Sequence, residues 1–590
     1  MIRLTTALSA LALLAACGGT ESADTPASST QTPAATTQAD TKPTAAAPEL
    51  LLPLPTNTST AIAGDDIAAR IATLADDKFE GRAPGTETGE ASARWIAAEM
   101  ERIGLAPGGA DGGYLQPVAM VELTLDQASS GFAIQNGETN TDMRLGTDAV
   151  IWSKRQTETP MDFDDSEVVF VGYGVVAPEY GWDDYAGLDV EGKTVVMLVN
   201  DPGYANPEGD LFNGRSMTYY GRWTYKYEEA ARQGATAAIV IHETAPASYP
   251  WGVVENSWTG GQPDLVSPNA GEDRAMLEGW ISNEMAVSLF EQAGLDFEAM
   301  KNAAKAPGFT YVDMGELTAS GAIKQQMRNV QSHNVVGIIP GKTQPDEYML
   351  YTSHWDHIGK KSGKKTGAPG EDFYEDQIFN GAVDNASGSA ATLEIAEAMM
   401  AEELDRSVIF VSVTLEESGL LGSAYYAENP TVPLNKIVAG INIDAMLPIG
   451  KTRDIVVVGY GASELEDRLK VLAEADNRTV VPDPKPEAGY FYRSDHVSFA
   501  KKGVPMLYAD AGLDKLDGGV AAGKAFAQVH EAQRYHKPAD EYDPNWDMSG
   551  MEQEVSTLFK LGRDIAKSDD WPEWYDGNEF KAIRVASLAE

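Results

Sequence analysis

The chain has one cysteine among 590 residues, and this scarcity excludes several classes of protein. A disulfide framework, a cysteine-based zinc knuckle and a thioredoxin-type redox pair all need at least two thiols. Positive charge is scarce as well, since 45 Lys and Arg stand against 89 Asp and Glu, for a net charge of −44. Such a chain repels polyanions, so we expect no nucleic-acid partner.

Long apolar runs are also missing, and the one at the N-terminus is short. Residues 1–17 read MIRLTTALSALALLAAC, whose apolar part is below the roughly 20 residues that span a bilayer. The segment resembles a bacterial lipoprotein signal, which is cleaved before Cys17 and lipidated on its sulfur. The alternative is an ordinary secretory signal. We therefore predict an exported protein, anchored in the cell envelope through lipid at Cys17. Because Gly18 follows rather than an acidic residue, the outer membrane facing the periplasm is favoured.

Composition and periodicity divide the rest of the chain into four parts. Residues 18–63 are rich in Thr, Ala, Ser and Pro and predict a disordered tether. Residues 64–160 have helical spacing and begin the main domain. Residues 161–315 show strand–helix–strand patterns and predict a smaller inserted α/β domain. Residues 316–590 alternate strand and helix, which predicts an α/β fold with a mixed, largely parallel sheet and helices on both faces.

Imidazole and carboxylate side chains follow the predicted strands of this sheet, at the point where each strand ends. In open α/β sheets, sites form in the crevice beyond the carboxyl ends of the strands. Asp384, before a predicted helix at 386–403, and His536, in a polar loop, can face the same crevice. The strands themselves deliver His354 after residues 348–353, Glu416 and Glu417 after residues 407–414, and Asp444 after residues 436–443.

Imidazoles with several carboxylates and no thiolate suit zinc or a related divalent metal. The number of carboxylates favours two ions per chain, which three carboxylates and one hydroxide would neutralise. Glu416 is then not needed as a ligand and is left free as general base. The predicted ligands are Asp384 as the bridge, His354 and Asp444 for one ion, and Glu417 and His536 for the other.

Taken in order, several segments resemble the co-catalytic zinc exopeptidases, a family that includes bacterial aminopeptidases, glutamate carboxypeptidase and glutaminyl-cyclase relatives. The segments are FEGRAPGT at 79–86, HWDHIG at 354–359, NGAVDNASG at 380–388, LEESGLLGS at 415–423, NID at 442–444, RSDHVSF at 493–499 and YHKPAD at 535–540. The resemblance implies the same five ligands and the same base. It also implies that Asp356 orients His354, that Tyr535 donates to an oxyanion and that His496 contacts substrate. His496 and His530 are rivals of His536 for the last ligand position.

The resemblance further implies that the chain hydrolyses peptides and that residues 161–315 are a protease-associated domain. An aminopeptidase with two Zn²⁺ is preferred, because a substrate α-amine could offset the local negative charge. A glutamate carboxypeptidase activity is an alternative, but it needs cationic side chains for a C-terminal carboxylate. A single-zinc glutaminyl cyclase is another. A non-catalytic receptor is disfavoured, because all predicted ligands and the base are present.

Overall fold

The computed structural model describes residues 50–204, 206, 209, 211–258, 260–361 and 376–589. The predicted lipoprotein signal, Cys17 and the tether up to residue 49 lie outside the described residues. Residues 50–63 contain no helix or strand, but they do make contacts with the folded part. Leu52 is buried, and the carbonyl of Pro53 accepts a hydrogen bond from the Trp95 indole at 3.2 Å. Residues 50–63, the described end of the predicted tether, therefore pack against the folded part.

A ten-stranded mixed sheet forms the centre of the larger part. Its four middle strands are parallel, and three of them end in unbroken runs of buried residues, which is typical of strands covered on both faces. Antiparallel strands extend the sheet on both sides. In spatial order the strands are Gly261–Leu265, Leu115–Leu125, Gln325–Ile339, Arg406–Val413, Gln344–His354, Ile437–Asn442, Met506–Ala511, Asp454–Val458 and Thr479–Pro482, with Ala106–Pro107 beside Gln325–Ile339. The predicted mixed sheet is confirmed, but it is not largely parallel, because its parallel pairs are confined to the middle and one edge and antiparallel pairs make up the rest.

Helices cover both faces of this sheet. Along the strand Arg406–Val413, Val408 and Phe410 pack into one core, whereas Ile409 and Val411 pack into another. The alternation follows from the two-residue period of a strand, which sends neighbouring side chains to opposite faces. The first core is covered by Gly64–Leu74, Glu87–Ile103, Gly388–Met399, Leu465–Ala475 and Ser549–Ala566; the second is covered by Leu421–Glu428 and His496–Ala500. Two further helices, Gly519–Gln533 and Lys581–Leu588, lie near the C-terminus.

Helix boundaries follow local capping chemistry, as Glu87–Ile103 illustrates. The Thr86 hydroxyl accepts a hydrogen bond from the Gly89 N–H at 3.0 Å and caps the first turn. The helix stops at Gly104, whose φ of 102° is a conformation that favours glycine. Among the described residues, no helix is both long and apolar enough to cross a lipid bilayer.

A separate eight-stranded sheet forms the smaller part of the molecule. It begins at Gly131 and ends at Ile323, so it extends beyond the predicted bounds of 161 and 315 on both sides. Its strands, in spatial order, are Thr139–Asp142, Gly131–Asn136, Val312–Ile323, Met161–Phe170, Thr194–Leu198, Ala237–Ile241, Leu277–Ile281 and Ala149–Trp152. Its helices are Trp223–Arg232, Thr244–Ala247, Trp251–Ser257, Asn283–Gln292 and Phe297–Ala304. Two small hairpins pair Val176–Ala177 with Trp182–Asp183 and Gly359–Lys360 with Ile378–Phe379.

This smaller part, the insert, is joined to the main sheet by strand pairing. The strand Gly261–Leu265 lies within the insert in sequence, yet it pairs with Leu115–Leu125 of the main sheet. The insert therefore contributes an edge strand to the main sheet as well as forming a sheet of its own.

Candidate metal centre

Three parallel strands deliver the predicted side chains to one edge of the main sheet. The strands Gln344–His354, Arg406–Val413 and Ile437–Asn442 are neighbours and end side by side. The loops that follow them therefore meet in one crevice, as the carboxyl ends of a parallel sheet do. Asp384 reaches the same crevice from the turn Ala382–Ser387, which leads into the helix Gly388–Met399.

Asp384 faces two imidazoles, one with each carboxylate oxygen. Its Oδ1 lies 3.4 Å from His354 Nε2, and its Oδ2 lies 3.1 Å from His536 Nε2. The same nitrogen of His354 is 3.0 Å from Asp444 Oδ1. The same nitrogen of His536 is 3.2 Å from Glu417 Oε2. The five predicted ligands thus form two groups that share Asp384.

Glu416 belongs to the group around His354. Its Oε2 lies 4.0 Å from His354 Nε2, and ligand atoms of His354, Glu416 and Asp444 all lie within 4.8 Å of one another. Burial, together with the charges of Asp444 and Glu417, raises the pKa of Glu416 well above its usual range. A raised pKa strengthens the affinity of the carboxylate for a proton, which is the property that a general base uses.

His357 is a member of the second group, although the sequence motifs predicted no role for it. Its Nδ1 lies 2.5 Å from Glu417 Oε1, and its ligand atom lies within 4.8 Å of those of Asp384 and Glu417. Its ring centre is 5.8 Å from that of His536. The segment HWDHIG could have indicated a role for His357. It follows the strand that ends at His354, so both of its histidines lie at the same edge of the sheet.

Asp356 connects two of the loops at the centre. Its carboxylate is 3.8 Å from His354 Nδ1, which is longer than a hydrogen bond, whereas its carbonyl oxygen is 3.2 Å away. The carboxylate instead accepts a hydrogen bond from the Glu416 N–H at 3.1 Å. The nearer contact to His354 is therefore made by the main chain of Asp356, and not by the side chain as predicted.

Tyr535 lies beside the second group. Its ring stacks on His536 with 4.0 Å between ring centres, and the residue is 46% exposed. An exposed tyrosine adjoining a predicted ligand has access to a molecule that enters the crevice, as the predicted oxyanion donor requires.

His496 is fully buried, in contrast to the predicted role in substrate contact. Its ring packs at 4.5 Å from that of Phe491 and 5.3 Å from that of Tyr508. Burial lowers the pKa of His496 to about 3, so the imidazole is neutral. In the described part of the chain, neither His496 nor His530 is within ion-pair distance of a carboxylate, whereas His536 contacts two. The geometry therefore favours His536 among the three rivals.

Arg82 of the FEGRAPGT segment makes hydrogen bonds to two of the loops that carry predicted ligands. Its buried guanidinium donates from Nε to the carbonyl of Trp355 at 2.7 Å and from Nη2 to the carbonyl of Gly381 at 2.9 Å. Trp355 follows His354, and Gly381 precedes Asp384, so one side chain joins two of the loops that carry predicted ligands. Burial lowers the pKa of Arg82 to about 10, although the charge of Asp384 opposes this effect.

Two further contacts fix the carboxylates themselves. The Asp540 carboxylate accepts a hydrogen bond from the Asp384 N–H at 3.0 Å, which holds the turn before the helix. The Ser494 hydroxyl donates to Asp444 Oδ2 at 2.7 Å and accepts from the Asn442 amide at 2.7 Å. Such supporting hydrogen bonds orient the side chains that coordinate metals.

The donor set fits divalent metal ions. Asp384, Glu416, Glu417 and Asp444 lie together, and among the described residues their ion-pair partners are histidines alone. Clustered carboxylates repel one another unless a cation neutralises them. Imidazole nitrogens with carboxylate oxygens are the ligands that zinc accepts.

Comparison with known proteins identifies the region that carries this centre. Residues 334–558 match the model of Peptidase family M28. The chain is similar to Aminopeptidase NAALADL1 of Mus musculus, with 32% identity over 276 residues, which are 43% of this chain and 32% of that protein. It is also similar to a Glutamate carboxypeptidase 2 homolog of Caenorhabditis elegans, with 23% identity over 327 residues, 48% of this chain and 37% of that protein. The chain thus spans about a third of the length of these relatives.

Two solved structures cover most of the chain at low sequence identity. The aminopeptidase from Aneurinibacillus sp. strain AM-1 is 16% identical, covers 86% of this chain and 95% of its own, and has a TM-score of 0.47. The zinc aminopeptidase BSAP from Bacillus subtilis is 16% identical, covers 88% of this chain and 100% of its own, and has a TM-score of 0.40.

The fold and the site define an α/β protein with a candidate metal centre at the carboxyl edge of its parallel strands. Within it, residues 334–558 carry the match to Peptidase family M28.

Proposed function

We propose that this protein is a two-zinc metallopeptidase that releases N-terminal residues from peptides. The observation that supports this most is the position of Asp384, whose two oxygens face His354 and His536 separately. A carboxylate with one oxygen directed to each of two ligand groups is what a bridge between two ions requires. The aminopeptidase name of the mouse relative agrees with the proposed reaction.

Each ion would have its own ligands in addition to the shared Asp384. His354 and Asp444 would hold one ion, and Glu417 and His536 would hold the other. His357 is placed to compete with His536 for the second position, since both contact Glu417. When bound, the zinc ions would polarise a peptide carbonyl and lower the pKa of water.

The remaining side chains would handle protons and charge. Glu416 would take the proton from the attacking water and return it to the leaving amine. Tyr535 would donate its hydroxyl to the oxygen that becomes negative as the carbonyl is attacked. A free α-amine of the substrate would be stabilised by the acidic surroundings, which favours an aminopeptidase over an enzyme that acts within chains.

A glutamate carboxypeptidase-like activity is the second candidate. The relative from Caenorhabditis elegans bears that name, and such an activity needs cations that bind a C-terminal carboxylate. A single-zinc glutaminyl cyclase is less favoured, because it leaves the second group of ligands without a purpose.

Two further properties belong to the same proposal. The insert would act as a protease-associated domain, which brings peptides to the centre or limits their access. The protein would be exported and anchored by lipid at Cys17, so that it meets peptides in the cell envelope.

The decisive experiment combines metal analysis with a panel of aminoacyl reporter substrates. We expect about two zinc ions per chain and cleavage of substrates with a free amine, but not of the same substrates with the amine blocked. One zinc per chain would support the cyclase instead. Equal cleavage of blocked and free substrates would rule out the aminopeptidase.

A further inference from the structure

One short segment of the larger part touches the insert along its course and the candidate metal centre at its end. Residues 486–494, the linking segment, contain two single 3₁₀ turns, Pro486–Ala488 and Tyr490–Tyr492, and are otherwise irregular. Because no helix or strand fixes the path of the linking segment, its contacts with neighbouring residues determine where its last residue, Ser494, lies.

Met217 of the insert packs against the first half of the linking segment. Its N–H donates to the carbonyl of Pro486 at 3.2 Å. Its buried side chain lies so close to Gly489 that a Cβ atom added to this glycine would be 2.4 Å from Met217 Sδ. Gly489 has a φ of 65°, a conformation that favours glycine. The turn at Gly489 therefore brings the main chain of the linking segment directly against the insert.

The second half of the linking segment contacts the insert as well. The rings of Tyr219 in the insert and Tyr492 in the segment have centres 6.0 Å apart. The ammonium group of Lys501, in the larger part, lies 3.8 Å from the centre of the Tyr219 ring and strengthens this junction. Arg493 Nη2 lies 3.5 Å from the carbonyl oxygen of Ala247 in the insert. The insert thus supports the segment up to the residue before Ser494.

Ser494 in turn holds a predicted metal ligand. Its buried hydroxyl donates to Asp444 Oδ2 at 2.7 Å and accepts from the Asn442 amide at 2.7 Å. The other oxygen of this carboxylate, Oδ1, lies 3.0 Å from His354 Nε2. A hydrogen bond to one oxygen of a carboxylate fixes the direction in which the other oxygen points. Ser494 therefore orients the oxygen that Asp444 directs to the group around His354.

The second group of ligands has no such connection to the insert. In the part of the chain that the structure describes, the side chains of Glu417 and His536 make their ion pairs and ring contacts with Asp384, His357 and Tyr535. All of these residues belong to the larger part. Contact with the insert thus distinguishes one group of ligands from the other.

We propose that the insert holds Asp444 in position through the linking segment and Ser494, so that zinc binding at the His354 group depends on the insert and zinc binding at the His536 group does not. This inference rests on the proposed two-zinc centre and gives the insert a part in its regulation. Ser494 is then a positioning residue. A displacement of the insert weakens one of the two ions selectively.

Single-site variants measure the two ions separately. His536→Ala leaves the His354 group, and His354→Ala leaves the His536 group. Zinc affinity is measured for each by competition with a chromophoric chelator, without substrate. Met217→Ala should weaken zinc binding by about 3- to 10-fold in the His536→Ala protein and leave it unchanged in the His354→Ala protein. Equal weakening in both proteins, or no weakening in either, would overturn the proposal.

Met143→Ala is the matched control. Met143 is also a buried methionine of the insert, but its side chain packs in the insert's own core. This variant should leave zinc binding unchanged in both single-site proteins, and thermal midpoints show whether it destabilises the fold as much as Met217→Ala does. If Met143→Ala weakens the His354 group to the same extent, the effect is general destabilisation and the proposal is wrong.

Ser494→Ala tests whether the effect of the insert passes through the hydroxyl. Loss of its hydrogen bond should weaken zinc binding at the His354 group by about 10-fold, and Ser494→Thr, which keeps a hydroxyl, should retain most of the affinity. Met217→Ala should cause no further loss in the Ser494→Ala protein, because two changes that act through one contact are not additive. Additive losses would show that the insert acts by another route, contrary to the proposal.

Failure of the peptidase proposal can be told apart from failure of this one, because zinc affinity is measured without turnover. A protein that binds two zinc ions with the expected dependence on Met217 but cleaves no reporter substrate would overturn the proposed reaction and support the role of the insert. Cleavage by a protein whose zinc affinity is insensitive to Met217 and Ser494 would overturn the role of the insert alone. A wild type that binds no zinc would overturn both.

Discussion

The Oδ2 atom of Asp384 lies 3.1 Å from the Nε2 atom of His536, while the other oxygen of the same carboxylate faces His354. Asp384 and His536 come from separate motifs, and their contact joins the last loop of the centre to the turn before the helix Gly388–Met399. Because Asp384 is shared, a change at this residue should affect both groups of ligands at once.

Asp384→Asn tests the shared ligand. The amide keeps the shape but removes the negative charge, so zinc content should fall below two per chain and turnover should fall by about 100-fold or more. Inductively coupled plasma mass spectrometry and the reporter assay measure the two effects. Asp346→Asn, an exposed carboxylate on the same part of the chain, should change neither. Full zinc content in Asp384→Asn would argue against a bridging role.

Glu416→Gln tests the general base. The variant should retain zinc, because the proposed ligands are intact, yet lose about 100- to 10,000-fold in kcat, because the proton has no acceptor. Metal analysis and steady-state kinetics, with Glu403→Gln as an exposed control, separate these effects. Loss of zinc together with activity would make Glu416 a ligand instead, which its position beside His354 and Asp444 also permits. Turnover at the wild-type rate would exclude both roles.

Arg82→Leu tests the support beneath the centre. Removing the guanidinium leaves several buried carbonyls without their donor, so the free energy of unfolding should fall by about 3–5 kcal/mol. Urea denaturation measures the loss. Arg94→Leu, which changes a partly exposed arginine of a neighbouring helix, should cost much less. Similar losses in the two variants would show that the loop contacts of Arg82 stabilise the fold no more than a partly exposed arginine does.

Glu579 gives a pH dependence at the junction with the insert. Burial, with the charges of Glu179 and Asp201, raises the pKa of Glu579 from 4.5 to about 7, although its hydrogen bond from Tyr492 opposes this. The folded state therefore binds this proton more tightly than the unfolded state. The stability from Glu579 is complete below about pH 4.5 and is lost as the pH rises through about 7.

The variant Glu579→Gln should remove that part of the pH dependence. The free energy of unfolding of the variant, relative to that of the wild type, should increase between pH 5 and pH 8, because only the wild type has to ionise a buried carboxyl over this range. Urea denaturation at the two pH values measures this difference. Glu573→Gln, an exposed neighbour, provides the control. Parallel pH profiles for Glu579→Gln and the wild type would contradict the raised pKa.

Cys17→Ser tests the predicted lipid anchor. In a bacterial host the wild type should fractionate with membranes and incorporate labelled palmitate, because several acyl chains hold a protein firmly to a bilayer. The variant should lose the label and the membrane association. A soluble, unlabelled wild type would favour the ordinary secretory signal.

Local sequence patterns predicted much of the main sheet. Residues 348–353, 407–414, 436–443 and 454–458 fall within or close to the observed strands, because buried parallel strands are continuous apolar runs. The predicted bounds of the insert, 161 and 315, were less accurate, because its sheet extends from Gly131 to Ile323. Its strands Gly131–Asn136 and Ala149–Trp152 are short, and which sheet a short strand joins depends on partners far away in the sequence.

The sequence by itself determined the chemistry available to this protein: a single cysteine, a large acid excess and motifs that place His354, Asp384, Glu417 and Asp444 beside strand ends. Only the tertiary structure decided which groups meet. It brought His357 against Glu417 and enclosed His496 between aromatic rings. The reason is physical: strand order and helix starts follow from local periodicity, whereas contacts between distant loops depend on how whole sheets and helices pack.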